Sequence, residues 1–179
     1  MPASASVRTT SSSSCADRIA RDQMIEFTIP GFGRLELSHL VCDYNGTLAL
    51  DGVLLSGIRE RVSRLAERLQ IHVVSGDTFG TARSQLADLA CEIVILPALE
   101  QAQAKQHFVD GLGRNGVVAV GNGRNDALML AAAAPGIGVC GDEGIAAEAL
   151  QSCAIVVRNI HDALDLLLSE KRLIATLRG

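Results

Sequence analysis

The chain has 179 residues, of which 48% are hydrophobic and 20% charged, and its formal charge is −4 at pH 7 with a pI near 5.5. This composition is typical of one globular domain with a sizeable core. The acidic balance argues against nucleic-acid binding, and no apolar run approaches the roughly 18 residues of a membrane-spanning helix, so we expect a soluble protein with no nucleic-acid and no membrane partner.

The cysteines and histidines argue against disulfides and zinc. The five cysteines are scattered, odd in number and mostly set in apolar, strand-like contexts: Cys15, Cys42, Cys91, Cys140 and Cys153. This pattern predicts reduced, buried thiols and a cytoplasmic location. No Cys-x-x-Cys pair occurs, and the four histidines stand far apart without ligand spacing, so a zinc site is not expected.

Residues 1–23 are rich in Ser, Thr and Ala and include four consecutive serines. They hold too few apolar residues to offset the entropy of ordering, so we expect a disordered tail. An organellar transit peptide and a biological start at Met24 are alternative interpretations. Because the folded pattern begins at Met24, the sequence predicts a single α/β domain over residues 24–179.

The first predicted element of that domain is a β-hairpin over residues 25–37, with its turn at Pro30–Gly33. The next strand, 39–42, is apolar and ends at Asp43, where a turn follows. A helix then begins after Ser56, its expected N-cap, and carries one apolar stripe.

The remainder of the chain alternates apolar strands with amphipathic helices. Strands are predicted at 71–74, 91–96, 117–120, 137–140 and 154–157. Helices are predicted at 79–89, 99–112, 125–134 and 144–150, with one or two closing helices at 160–177. Such alternation predicts a three-layer, doubly wound α/β fold with a mainly parallel sheet. Right-handed crossovers then place the carboxyl ends of the strands at one edge, where ligands bind in open α/β sheets.

Four polar segments are expected to meet at that edge. They are 43–47 (Asp-Tyr-Asn-Gly-Thr), 75–78 (Ser-Gly-Asp-Thr), Lys105 in the helix at 99–112, and 121–126 (Gly-Asn-Gly-Arg-Asn-Asp). A carboxylate nucleophile, a hydroxyl, an ammonium and a second carboxylate in one crevice are the groups that phosphoryl transfer needs. The carboxylate oxygens also suit Mg²⁺.

These four segments, in this order, resemble the motifs of the haloacid-dehalogenase (HAD) superfamily. Within it, Gly-x-Gly-x-Asn-Asp with Ser-Gly-Asp resembles the phosphorylation domain of P-type ATPases and the small soluble P-type-ATPase-like proteins of bacteria. The resemblance implies a Rossmann-like core and a Mg²⁺-dependent phosphohydrolase or phosphotransferase. Taken alone, each segment also has a structural explanation. These are a solvated Asp at a capped strand end for Asp43, a strand-end cap at Ser75, a solvated charge at Lys105 and a carboxylate favoured by a helix dipole at Asp126.

Carried over position by position, the resemblance implies an aspartyl-phosphate on Asp43. It implies catalytic contributions from Asp43, Asn45, Ser75 and Lys105, phosphate contacts from Thr47, Ser75, Gly76 and Lys105, and Mg²⁺ ligands at Asp43, Asn45 (through its backbone carbonyl), Asn122 and Asp126.

Two amides depart from the family pattern. Asn45 stands where HAD phosphatases carry an Asp that protonates the leaving group, and an amide cannot do this, so we expect slow turnover. Asn122 stands where the first Asp of the fourth motif would bind the metal. A catalytically weakened phosphate- or metal-binding regulatory module is therefore a second hypothesis, and a purely structural partner protein is a third.

The short gap after the first motif, 49–55, leaves room for a flap but not for the cap domain that many family members insert. The resemblance then implies an open site that acts on a small or macromolecular phosphorylated substrate, or that a neighbouring subunit of a homo-oligomer completes. Asp142 and Glu143 are predicted to cap the following helix. The Gly-x-Gly-x-x-Gly run at 136–141 lies along a strand, which disfavours a dinucleotide site.

Overall fold

The computed structural model describes residues 24–76, 80–97 and 99–179. Its strands are β1 (Ile25–Ile29), β2 (Gly33–Leu37), β3 (His39–Asp43), β4 (Ala49–Leu50), β5 (Val53–Leu54), β6 (Gln70–Ser75), β7 (Glu92–Ile95), β8 (Val117–Gly121), β9 (Gly136–Val139) and β10 (Ile155–Val157). Its helices are α1 (Ile58–Leu65), α2 (Ala82–Leu86), α3 (Gln101–Leu112), α4 (Ala127–Ala132), α5 (Ala147–Ser152), α6 (Ile160–Leu167) and α7 (Glu170–Leu177). The predictions for residues 1–23 and for Asp77 and Thr78 lie outside the described residues.

A six-stranded sheet with the order β10-β9-β8-β3-β6-β7 organises the fold, and every neighbouring pair in it is parallel. The central strand β3 places Val41 opposite His72 of β6 and Ala119 of β8. The three central strands therefore end together, at Asp43, Ser75 and Gly121. This arrangement confirms the predicted parallel α/β sheet and the shared edge.

Side chains alternate between two cores on the two faces of the sheet. Leu40 and Cys42 of β3 belong to a core that α1, α6 and α7 cover, whereas Val41 between them belongs to a second core under α3, α4 and α5. Because successive strand residues point to opposite faces, an apolar strand buries both of its sides. The result is the three-layer architecture that the sequence predicts.

Two small antiparallel hairpins flank the sheet. The β1–β2 hairpin matches the predicted one and packs Ile25 and Leu37 into the first core with Leu173 of α7. The β4–β5 hairpin occupies the gap after the first motif as a short flap. Between β6 and α3, the described residues form only α2 and β7. In the parts of the chain that the structure describes there is thus no cap domain.

Several predicted boundaries are wrong. Helix α1 has Gly57 as its N-cap, and the carbonyl oxygen of Ser56 instead lies 2.7 Å from the Nε2 atom of His161. Helix α2 is shorter than the predicted 79–89 helix, of which residue 79 is not described. Helix α4 follows a 3₁₀ turn at Arg124–Asp126.

The loop before α5 also differs from its prediction. Helix α5 begins at Ala147 rather than at Gly144, whose φ of 76° lies outside the helical region. Asp142 and Glu143 therefore precede the helix by a loop and do not cap it, so that interpretation is wrong.

The cysteine prediction holds in part. All four cysteines in the described part of the chain have free thiols, but only Cys42 is fully buried, while Cys91, Cys140 and Cys153 are partly exposed.

Candidate active site

A buried ionic triad lies at the carboxyl end of β3. The Nζ atom of Lys105, on α3, lies 2.5 Å from Oδ1 of Asp43 and 2.6 Å from Oδ1 of Asp126. Lys105 and Asp126 are fully buried, and Asp43 is 7% exposed. Two carboxylates around one ammonium leave a net negative charge in the protein interior when all three groups are ionised.

Asp126 is fixed from the other side by backbone groups. Its Oδ2 atom accepts hydrogen bonds from the backbone N–H groups of Asn122 at 3.0 Å and Gly123 at 2.8 Å. A Cβ at Gly121 would lie 2.6 Å from the Asp126 carboxyl carbon, so glycine there leaves room for the carboxylate against the strand end. Both oxygens of Asp126 are therefore occupied, and the residue anchors Lys105.

The electrostatics of the triad follow from burial. Burial, and then the charge of Asp126, raise the pKa of Asp43, whereas Lys105 lowers it, and the net result is a pKa of about 7. Burial by itself lowers the pKa of Lys105, but the two carboxylates outweigh it and hold that pKa above its ordinary value. Lys105 is thus a permanent cation beside a carboxyl group that ionises near neutral pH.

Next to the triad, at the same edge of the sheet, lies a cavity of about 190 Å³. Polar and glycine residues from several loops line it: Asp43, Asn45, Ser75, Gly76, Gln101, Asn122, Gly123, Asn125 and Glu143. Five of these are predicted site residues: Asp43, Asn45, Ser75, Gly76 and Asn122. Of the remaining predicted residues, Lys105 and Asp126 lie behind Asp43.

Thr47 was predicted to contact phosphate, and the structure gives its hydroxyl a protein partner. Thr47 is 1% exposed and donates to Oδ1 of Asn122 at 3.2 Å. The amide of Asn122 donates in turn from Nδ2 to the carbonyl oxygen of Gly144 at 3.1 Å. The backbone carbonyl of Asn122 also accepts from Ala146 N–H at 2.9 Å. Asn122 therefore ties the loop before α5 to the site.

Asn45 carries an unfilled acceptor. Its Oδ1 atom is buried and has no hydrogen-bond partner, and it is the only such side-chain atom among the described residues. Leaving a buried acceptor unsatisfied costs about 1–3 kcal/mol. Because Asn45 also lines the cavity, this oxygen is available to a water, an ion or a ligand there.

Four cavity residues were not predicted as site residues: Gln101, Gly123, Asn125 and Glu143. Asn125 donates from Nδ2 to Oε1 of Gln101 at 3.0 Å and so closes one rim of the cavity. Asn125 lies inside the fourth motif, and Gln101 precedes Lys105 by four residues on α3, so helical spacing could have indicated it. Glu143 had no comparable signal, because only the path of its loop brings it to the cavity.

Two features are absent from the described part of the chain. Within residues 24–76, 80–97 and 99–179, no three His, Cys, Asp or Glu side chains form a group placed to hold a metal. In the same ranges, no helix combines the length and apolar character that crossing a bilayer requires.

No protein-family model matches the chain. The chain is 55% identical over 62 residues to uncharacterized protein MJ0073 of Methanocaldococcus jannaschii, which is 35% of this chain and 67% of that protein. It is 44% identical over 39 residues to uncharacterized protein MJ0072 of the same organism, 22% of this chain and 89% of that one. It is also 33% identical over 89 residues to phospholipid-transporting ATPase tat-1 of Caenorhabditis elegans, 48% of this chain but 8% of the ATPase.

Among solved structures, the cobalt-bound deoxy-D-mannose-octulosonate 8-phosphate phosphatase YrbI of Haemophilus influenzae matches with a TM-score of 0.62 and 17% identity, over 76% of this chain and 89% of that one. The corresponding Moraxella catarrhalis phosphatase, in complex with magnesium, phosphate and KDO, matches with a TM-score of 0.58 and 12% identity, over 79% and 94%. At 17% and 12% sequence identity, these matches show that the chain shares the fold of the two phosphatases. The chain therefore has the haloacid-dehalogenase fold and belongs to the same protein family as MJ0073 and MJ0072.

Proposed function

We propose that this protein is a Mg²⁺-dependent phosphohydrolase or phosphotransferase that acts through an aspartyl-phosphate on Asp43. The observation that carries the proposal is the Asp43–Lys105–Asp126 triad beside an open cavity at the carboxyl edge of β3. The phosphatases that share the fold support it.

The chemistry begins with Asp43. One of its carboxylate oxygens forms a bond to phosphorus while the phosphorus–oxygen bond to the leaving group breaks. The ammonium of Lys105 and the hydroxyl of Ser75 stabilise the charge on the phosphoryl oxygens. Water, or an acceptor hydroxyl in a transferase, then attacks phosphorus and releases the Asp43 carboxylate.

The donor atoms at the cavity fit a hard divalent cation such as Mg²⁺. Asp43 offers a carboxylate, and Asn45 offers a buried oxygen without a partner. A bound cation would reduce the repulsion between the phosphate and Asp43. Of the other two predicted ligands, Asp126 has both oxygens hydrogen-bonded, and Oδ1 of Asn122 accepts from Thr47.

The rate is expected to be low. Asn45 cannot protonate the leaving group or activate water, and loss of general acid–base help costs about 10²–10⁴-fold. The leaving oxygen must take its proton from solvent, so good leaving groups are favoured. The resemblance to the phosphorylation domain of P-type ATPases, which also lack an acid at this position, supports phosphorylation of Asp43 without one, and the similarity to the ATPase tat-1 is in line with that resemblance.

A second candidate function is a weakened phosphate- or metal-binding module with a regulatory role. The observation that favours it is the pair of amides, Asn45 and Asn122, at the cavity. This candidate predicts binding of Mg²⁺ or phosphate with negligible turnover.

The open cavity suits a small or macromolecular phosphorylated substrate, or completion by a neighbouring copy of the chain. A cytoplasmic location belongs to the same proposal.

The test is turnover of an activated aryl phosphate with Mg²⁺ by the wild type and by Asp43→Asn. We expect the wild type to release phosphate and the variant to remain at the level of the blank. Asp88→Asn is the matched control, because it removes the same charge at an exposed position paired with Arg59, and it should retain wild-type turnover. Equal rates for the wild type and Asp43→Asn would refute the proposed nucleophile.

A further inference from the structure

Glu143 is a carboxylate at the catalytic cavity that no sequence motif indicated. It lies in the loop between β9 and α5 and lines the cavity together with Asp43 and Asn45. It also lines a neighbouring cavity of about 310 Å³. Its side chain is exposed and has no hydrogen bond or ion pair within the described residues. Its charge is therefore free to act on whatever the cavity binds.

The Glu143 carboxylate lies beside the amide that replaces the family's metal ligand. A Cβ at Gly46 would lie 2.6 Å from Oε2 of Glu143 and 2.6 Å from Nδ2 of Asn122. Both groups thus approach the same point above the first motif, and a side chain at position 46 would exclude them. Gly46 also has a φ of 77°, which favours glycine. The missing charge at Asn122 is accordingly matched by a charge close by.

The hydrogen bonds of Asn122 explain why an amide and an acid are paired in this way. Its Nδ2 donates to the carbonyl oxygen of Gly144, and its backbone carbonyl accepts from Ala146, so the loop closes onto it. An aspartate there would set a carboxylate oxygen against the Gly144 carbonyl, which repels it. The hydrogen bond that needs an amide at Asn122 therefore also helps to hold the loop in the position that places Glu143 at the cavity.

We propose that Glu143 supplies the carboxylate that Asn122 lacks, as a ligand of a divalent cation shared with Asp43 and Asn45. This inference rests on the metal-dependent function proposed above. Because Glu143 has no partner to lose, its side chain can turn towards the cavity at little cost. The negative charge of Asp43 is partly neutralised by its ion pair with Lys105, whereas Glu143 has no cationic partner among the described residues. Glu143 therefore offers a cation the stronger negative charge of the two.

The neighbouring Asp142 provides a matched control. Asp142 lies in the same loop, is exposed and carries the same charge. It lines the neighbouring cavity of about 310 Å³ but does not line the catalytic cavity. Asp142→Asn and Glu143→Gln therefore remove equal charge from adjacent positions. A long-range electrostatic effect would change both variants alike, whereas direct ligation would change only Glu143→Gln.

The experiment measures Mg²⁺ binding to the metal-free protein by calorimetry and the increase in melting temperature on adding Mg²⁺. We expect Glu143→Gln to bind Mg²⁺ at least about tenfold more weakly, since loss of even an outer-shell partner costs 10–100-fold. Its melting temperature should rise correspondingly less. Asp142→Asn should match the wild type in both measurements. Melting curves without metal verify that the two exposed substitutions leave the fold intact.

Wild-type affinity in Glu143→Gln, or equal losses in both variants, would overturn the ligand role. Absence of Mg²⁺ binding by the wild type would overturn it as well. The aryl-phosphate assay separates the two proposals, because turnover that depends on Asp43 upholds the proposed function even when the role of Glu143 fails.

Discussion

A row of hydrogen-bonded polar side chains lies at each end of β3, and the two rows differ in burial and in charge. At the amino end, Nδ1 of His39 lies 3.1 Å from Nε2 of His72, and Nδ1 of His72 lies 2.8 Å from Oε2 of Glu92. The Glu92 side chain is 64% exposed, so that row ends in solvent. At the carboxyl end, Lys105 joins Asp43 to Asp126, and the row ends at a cavity.

The difference concerns what each arrangement contributes. The row at the amino end consists of two imidazole rings, which can be neutral, and a carboxylate that remains in contact with water. Its formation on folding therefore costs little desolvation free energy. The triad buries ionised groups with a surplus of negative charge, and buried ion pairs rarely stabilise a fold relative to apolar residues. We infer that the triad serves the chemistry of the cavity rather than stability.

The largest expected effect comes from breaking the triad. Lys105→Met leaves two carboxylates buried without their cation, so the free energy of unfolding should fall by about 3–5 kcal/mol in urea titrations. Arg59→Met, which removes a cation paired with Asp88 at the surface, is the control and should unfold close to the wild type. Similar losses in both variants would mean that the triad is not energetically distinct.

The next effect concerns the acid missing from the cavity. Asn45→Asp restores a general acid and base, so steady-state hydrolysis of an alkyl phosphate should rise by about 10²–10⁴-fold. The gain should be smaller for an aryl phosphate, whose leaving group needs no proton. Asn115→Asp, at an exposed amide, should change neither rate. No gain with the alkyl ester would show that Asn45 is not what limits turnover.

Asp43 should impose a pH dependence on stability. Its ordinary pKa is 3.8 and its pKa in the folded protein is about 7, so between these values the folded state binds more protons than the unfolded state. The stability due to the protonated carboxyl is therefore complete below about pH 4 and is lost as the pH rises to about 7. In metal-free buffer, Asp43→Asn should gain stability relative to the wild type over this window, whereas Asp88→Asn should not. A constant difference across the window would contradict the raised pKa.

The smallest effect, with the opposite sign, is expected at the amino end. Burial, and then the charge of His72, lower the pKa of His39 below its ordinary value of 6.5. The unfolded state therefore takes up a proton first, and stability falls as the pH drops below about 6.5. His39→Gln should reduce this acid-side loss in denaturation curves, and His107→Gln at an exposed position should not. An unchanged acid limb in His39→Gln would exclude this role.

The sequence predicted the sheet, and it predicted that the candidate site residues lie at one edge of it, where local patterns determine both. Fully apolar strands gave the parallel sheet, because burial on both faces leaves no alternation. Asp43, Ser75 and Asn122 each lie at or just after the end of a predicted strand. Because the strands of a parallel sheet end at the same edge, the sequence places these residues together. Lys105 had no local anchor in the sequence, and its partners prove to be carboxylates 62 and 21 residues away.

Features that depend on loop paths or on strand neighbours were not predictable. The contact between His39 and His72 arises because β3 and β6 are adjacent, although the sequence set these residues 33 apart. Glu143 was predicted to cap the next helix. The hydrogen bonds of Asn122 with Gly144 and Ala146 hold residues 142–146 in a loop instead, so that α5 begins at Ala147 and Glu143 lies at the cavity. The N-cap of α1 is likewise Gly57, whose φ of 76° favours glycine, rather than Ser56.

The most direct test of the proposed nucleophile is to trap the phosphoryl group. Wild-type protein incubated with an aryl phosphate and Mg²⁺, quenched in acid and mapped by peptide mass spectrometry, should carry one phosphoryl group on Asp43. The slow second step expected from Asn45 favours its accumulation, and Asp43→Asn should carry none. Turnover without a phosphoryl group on Asp43, or with one on another residue, would contradict the proposed mechanism.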